Sequence, residues 1–357
     1  MDNYILEIHK TLLKSQGLSN PQDRIKLINS AVALADKHND VLWGFETRMF
    51  LINAENYTPS SRYSFPAFAW ILDQHERNIG LFEEKEFLLE YKWLLGTAYG
   101  LTSISLDQIH RIANDFKEKL LANGYSLRGL YHLEALGLQQ FRDFEKAKEV
   151  IALIKASPLD ELSDNPPFEQ TLEVFNYLGT GDIDAALIAA QELFLDRYEG
   201  LNTAFETYTI FAMEFYRIKD SRQFEYFELA QRKLPVFDSN DCITNIRSRV
   251  LYMYLLHQYE DEVCWDYFEK ICIWAHESDD YYSFFFLKYA SCMLKNGGKR
   301  KFSFPVYLPY YREGMYDLGE LFVYFKARAL EYALAFDKRN NNGNFVRELD
   351  NLLALSK

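Results

Sequence analysis

Residues 131–158 read YHLEALGLQQFRDFEKAKEVIALIKASP. Tyr131, Ala135 and Leu138 are spaced by four and three, and Arg142 and Asp143 interrupt the run. Ala147, Ile151 and Ile154 then resume the same spacing until Pro158 stops it. Each half puts its apolar side chains on one helical face, and the polar break between them is short. The stretch is therefore a helical hairpin in which neither helix can hide its apolar stripe alone. Recurrence of such a unit would make the chain a stacked helical array.

The unit recurs. From Ala147, 39 residues on is Ala186, and steps of 38 reach Phe224, after Lys219-Asp220, and Glu262, after a break at Tyr259; 39 residues back is Gln108. Helical spacing around this frame predicts further helices at 2–16, from 21 behind Asn20-Pro21, 41–54, 65–77, 84–100, 106–121, 168–177, 183–195, 281–294, 315–336 and 344–355. Gly17, Asn123-Gly124, Gly179-Thr180-Gly181-Asp182 and the run Asn340 to Gly343 punctuate them, and Pro21 stands where a helix tolerates its missing N–H. Residues 297–316, with Gly297-Gly298, Pro305 and Pro309, fit no helical pattern.

Composition agrees. Of 357 residues, 48% are hydrophobic and 16% aromatic, with 16 Gly and 9 Pro, which favours long helices over turn-rich sheets. A net charge of −13 is a poor match to a phosphate backbone, so nucleic acid is not an expected partner. Lys299-Arg300-Lys301 is a local basic run that reads as a solvated loop. The N-terminus has no basic start with a long apolar run, and the most apolar window, 281–294, is too short to cross a bilayer. The expected location is the cytoplasm, with no membrane partner. Cys242, Cys264, Cys272 and Cys292 have neither zinc nor disulfide-framework spacing and read as ordinary buried thiols.

Leu95-Gly96-x-x-Tyr99, with Trp93 one place off, and the unit Tyr131, Ala135, Leu138, Asp143-Phe144-Glu145-Lys146-Ala147 and Pro158 resemble the tetratricopeptide repeat. Tyr177 with Gly181-Asp182-Ile183-Asp184-Ala185-Ala186 is a third copy. The family unit has 34 residues, against 38–39 here, so helices or connectors are longer. The resemblance implies an all-α, right-handed α-solenoid of about eight or nine antiparallel helical hairpins over residues 1–357. Divergent hairpins would occupy 1–80, the best-formed repeats 81–276, and irregular hairpins with a closing helix 277–357. It also implies a concave surface built from the first helix of each unit. Carried over by position, that surface takes Trp93 and Thr97, then His132, Leu136, Gln139 and Gln140. Further on it takes Thr171 and Phe175, then Thr209, Met213, Tyr216 and Arg217, then Arg247, Leu251 and Tyr254.

Catalytic patterns are lacking. His75-Glu76 has no second His four residues on, Gly179-Thr180-Gly181 follows no strand, and no G-x-S-x-G elbow occurs. Asp160-Glu161, Glu83-Glu84 and Asp279-Asp280 read as solvated carboxylate pairs. The expectation is a protein- or peptide-binding scaffold that holds an extended segment in its groove, with no catalytic residue, metal or cofactor. Self-association as a homodimer is left open. The alternative is a peptide-sensing regulator whose superhelix closes on a small ligand; an enzyme built around 297–316 ranks below both. An enclosed pocket would favour the sensor and an open groove the scaffold.

Overall fold

The computed structural model describes residues 3–78, 80–195, 197, 202–234 and 242–355. The described chain is all-α, with eighteen α-helices and one two-stranded ribbon. Helices follow one another in packed pairs: α1 (Asn3–Gln16) with α2 (Pro21–Lys37), α3 (Val41–Glu55) with α4 (Ser64–Arg77), and α5 (Leu88–Ala98) with α6 (Leu106–Ala122). Next come α7 (Arg128–Gln140) with α8 (Phe144–Ala156), and α9 (Pro166–Thr180) with α10 (Ile183–Ala189) and the single turn α11 (Gln191–Phe194). The later pairs are α12 (Thr203–Arg217) with α13 (Arg222–Arg232), and α14 (Cys242–Gln258) with α15 (Cys264–His276). The last group is α16 (Asp280–Leu294), α17 (Leu318–Asn340) and α18 (Asn344–Leu355). First members of successive pairs also touch, α5 on α7, α7 on α9, α12 on α14 and α14 on α16. The 131–158 hairpin is α7 and α8.

One turn geometry links successive helices again and again. Asn39, Arg142, Gly181, Lys219 and Glu260 have φ of 51°, 64°, 81°, 58° and 60°, and each is followed by Asp. The N–H groups of Asp40, Asp143, Asp182, Asp220 and Asp261 reach back five residues, to the carbonyls of Ala35, Leu138, Tyr177, Phe215 and Leu256. This closes the first helix as a Schellman turn. The carboxylate of the same Asp then accepts from a backbone N–H at the start of the next helix: Trp43, Lys146, Ala185, Arg222 and Val263. Arg142, Gly181, Lys219 and Glu260 are 39, 38 and 41 residues apart. The left-handed residue and its Asp thus carry the period. The small anchor does not: Ala147 and Ala186 are fully buried, whereas Phe224 is 56% exposed and Gln108 and Glu262 face solvent.

Three elements differ from the spacing-based expectation. Residues 84–87 form a 3-10 turn, and the helix proper runs Leu88–Ala98. The expected 183–195 helix breaks after Ala189, whose carbonyl accepts from Gln170 Nε2 at 2.6 Å. Residues 315–317 are not helical: β2 (Met315–Asp317) pairs antiparallel with β1 (Lys299–Lys301), Arg300 opposite Tyr316, and Asp317 then caps α17 through the N–H groups of Gly319 and Glu320. The loop between the strands is stitched to the core by Phe302, Phe304 and Leu308, all buried, as is Tyr316 of β2.

Late elements fold back onto early turns. The Asp279 N–H donates to Pro59 O (2.8 Å) and the Tyr281 N–H to Gly100 O (3.0 Å). Asp280 accepts from the N–H (2.8 Å) and Oγ1 (2.6 Å) of Thr102. Farther along, Arg339 donates to Leu101 O (2.7 Å), Asn344 to Phe141 O (2.8 Å), and Arg142 pairs with Glu348. Glu348 also pairs with Lys288, which is 2% exposed. Burial alone would raise the Glu348 pKa, but the two cations outweigh it and hold the carboxyl down at about 2. The turns that end α3, α5 and α7 are therefore fastened to α16, α17 and α18. No described helix is long and apolar enough to cross a membrane.

Candidate functional site

Between these early turns and the start of α16 lies a cavity of about 410 Å³. The residues 93 and 97 on α5, and 132, 136 and 140 on α7, are four apart, so each set shares a helix face. Trp93, Thr97, His132, Leu136 and Gln140, all expected on a concave surface, do meet at this cavity. The two helices approach closely because Gly96 leaves room for Leu133, and Tyr99 lies flat against Gly137, where a Cβ would come within 2.4 Å of the ring. The opposite wall is the 58–61 turn with Asp279, Tyr281 and Tyr282, and Asp164 and Phe168 close one side.

The walls are polar where burial is deepest. Lys92, 4% exposed, donates from Nζ to Leu162 O (2.8 Å) and lies 2.8 Å from Asp164 Oδ2. His132, 8% exposed, has Nδ1 3.6 Å from that same oxygen and makes no hydrogen bond there. Burial pushes the His132 pKa down, more than Asp164 raises it, so the ring is neutral at physiological pH. The Gln140 Oε1 is buried without a partner. Glu55 accepts from the Tyr63 N–H (3.0 Å), the Ser64 N–H (2.6 Å) and Ser64 Oγ (2.6 Å), yet burial still raises its pKa. Asp279 accepts from the Ser61 N–H (3.2 Å) and Oγ (2.9 Å). Its pKa is pushed up to about 6, first by burial and then by the neighbouring Glu55 and Asp280 charges. Ser61 and Ser64 each offer both N–H and hydroxyl to one carboxylate. The two acids thereby fix the 58–64 turn.

The other expected groove residues sit elsewhere. Gln139 is buried and bridges to Leu172 O (2.7 Å), and Thr171 donates to Pro167 O (2.8 Å). Thr209 donates to Phe205 O (2.7 Å), and Met213, Leu251 and Tyr254 are buried in the C-terminal core. Tyr216 donates to Gln258 Oε1 (2.6 Å), and Arg217 pairs with Glu214 on its own helix. Arg247 stacks 4.4 Å over Phe175 and 5.8 Å from Phe285. Sequence reasoning missed Glu55, Lys92, Asp164 and Asp279. Asp279-Asp280 is not a solvated pair, because its carboxylates hold Ser61 and Thr102 across the seam. The four acids and bases carried no local signal, since each gains its role from a residue 8 to more than 200 positions away.

Arg300 pairs with Glu262 and stacks on Trp265, while Arg312 pairs with Glu320. Cys264, Cys272 and Cys292 are buried free thiols, and burial pushes the Cys264 thiol up to about 12; the Cys242 side chain lies outside the described residues. No group of metal-ligating side chains occurs among the described residues. No family model matches the chain, and neither a curated protein nor a solved structure is similar to it.

Proposed function

We propose that the chain is a cytoplasmic binding protein without bond chemistry, a tetratricopeptide-like α-solenoid that closes on a short peptide. The observation that carries this reading is the shared wall of the cavity, in which α5, α7 and the 58–61 turn meet Asp279, Tyr281 and Tyr282 at the start of α16. A volume of about 410 Å³ suits a few side chains of a ligand and not a long segment. Burial of Thr209, Met213 and Tyr254 leaves the later units little open groove, which favours closure on a small ligand over an extended scaffold. A ligand in the cavity touches both sides of the seam and so stabilises the closed form by mass action.

The test is selection of displayed random peptides on the immobilised full chain, followed by binding to Leu136→Trp, which fills the cavity between His132 and Gln140. Enriched peptides should bind the parent chain and lose at least about tenfold in affinity on the filled variant, the loss expected when a pocket contact worth over 1.4 kcal/mol is removed. Equal binding to both, or no enrichment, overturns the reading.

A further inference from the structure

Rested on the reading of the cavity as a binding site, we infer that the group it selects is a cation, an ammonium or a guanidinium. The walls carry carboxylates and an unpartnered amide oxygen. Asp164 and Asp279 bring carboxylates, the Gln140 Oε1 is buried with no partner, and His132, more than nine-tenths buried, has its Nδ1 unbonded 3.6 Å from Asp164. The one cationic lysine lining the cavity, Lys92, is committed: its Nζ donates to Leu162 O at 2.8 Å and lies 2.8 Å from Asp164. An entering anion would meet the like charges of Asp164 and Asp279, at a cost that low local dielectric enlarges. An entering cation supplies the missing N–H groups to buried acceptors, which otherwise stay unsatisfied.

An aromatic face completes the set. Trp93 lines the same cavity, and no Lys or Arg among the described residues lies over its indole. Carboxylates and an indole that share one cavity attract a cation by both charge and ring quadrupole. The chain's net charge of −13 favours approach of a positive ligand as well. His132 and Gln140 are eight residues apart on one face of α7, about 12 Å along the helix. That span matches a cationic residue with one or two neighbours.

The experiment is calorimetric titration of the full chain with four tripeptide amides: Ala-Ala-Ala with a free N-terminus, and acetyl-capped Arg-Ala-Ala, norleucine-Ala-Ala and Glu-Ala-Ala. At least one of the two cationic peptides should bind about tenfold tighter than the norleucine peptide, as a desolvated charge-assisted contact on an aromatic face provides. Preference for the free N-terminus identifies an α-ammonium, and preference for acetyl-Arg-Ala-Ala a side-chain cation. Gln140→Leu removes an oxygen with no partner in the fold, so it should weaken cation binding several-fold, roughly a lost hydrogen bond, with an unchanged melting temperature. Asp164→Asn should weaken it further. If the norleucine or Glu peptide binds as well as the cationic ones and Leu136→Trp abolishes it, the cation inference fails while the cavity reading stands. If Leu136→Trp changes no titration, or no peptide binds, both fail.

Discussion

Asp279 shows how much one carboxylate can do at a seam. It takes two hydrogen bonds from Ser61 while its own N–H goes to Pro59, so it holds both the backbone and the side chain of a turn more than 200 residues away. Its folded pKa of about 6 lies above the ordinary 3.8, which means the folded chain binds the proton more tightly than the unfolded one. The sign follows by linkage: this group's contribution to stability is fully present below about pH 4 and is lost as pH rises through 6. Asp279→Asn keeps the acceptor oxygen and removes the charge. Urea unfolding should therefore show the parent chain losing about 1–2 kcal/mol relative to Asp279→Asn between pH 5 and 7.5, a solvent-discounted figure for a partly exposed acid. A constant difference across that range would refute the assignment.

At the scale of the element, the repeated device is a left-handed residue followed by a capping aspartate. Asp182 is exposed and its carboxylate serves the Ala185 N–H at 3.1 Å, so Asp182→Ala should cost about 1 kcal/mol in denaturant unfolding. Lys219 holds φ at 58°, a conformation that costs a side-chain-bearing residue roughly 1 kcal/mol, so Lys219→Gly should be neutral to stabilising where most glycine substitutions harm. Helices were legible in the sequence because an apolar stripe at 3.6 spacing is a local property. Their ends were less so. The break after Ala189 depends on Gln170 in another helix, and the strand at 315–317 depends on a partner at 299–301. The repeat was visible for a partly mistaken reason, since the period lies in the turn and not in the small residue behind it.

For the whole molecule, the telling group is Arg142, Lys288 and Glu348, which ties the α7–α8 turn to α16 and α18. Removing the shared anion leaves two cations together, one of them fully enclosed. Glu348→Gln should thus cost about 3 kcal/mol and raise hydrogen exchange at residues 141–142 and 288 ahead of global unfolding. Exchange that rises evenly along the chain would contradict a seam. Of the concave residues expected from the sequence, five of the six on α5 and α7 gather at the cavity, while Gln139 and those on α9, α12 and α14 are taken up in packing or in pairs with neighbours. Periodicity alone assigned helix faces, pair by pair, and composition set the acidic, all-helical character, because both depend on residues a few positions apart. Which early turn meets which late helix was decided only in three dimensions. The carboxylates of Asp279, Asp280 and Glu348 meet Ser61, Thr102 and Arg142 across more than 170 positions of sequence, and no local pattern records a pairing at that distance.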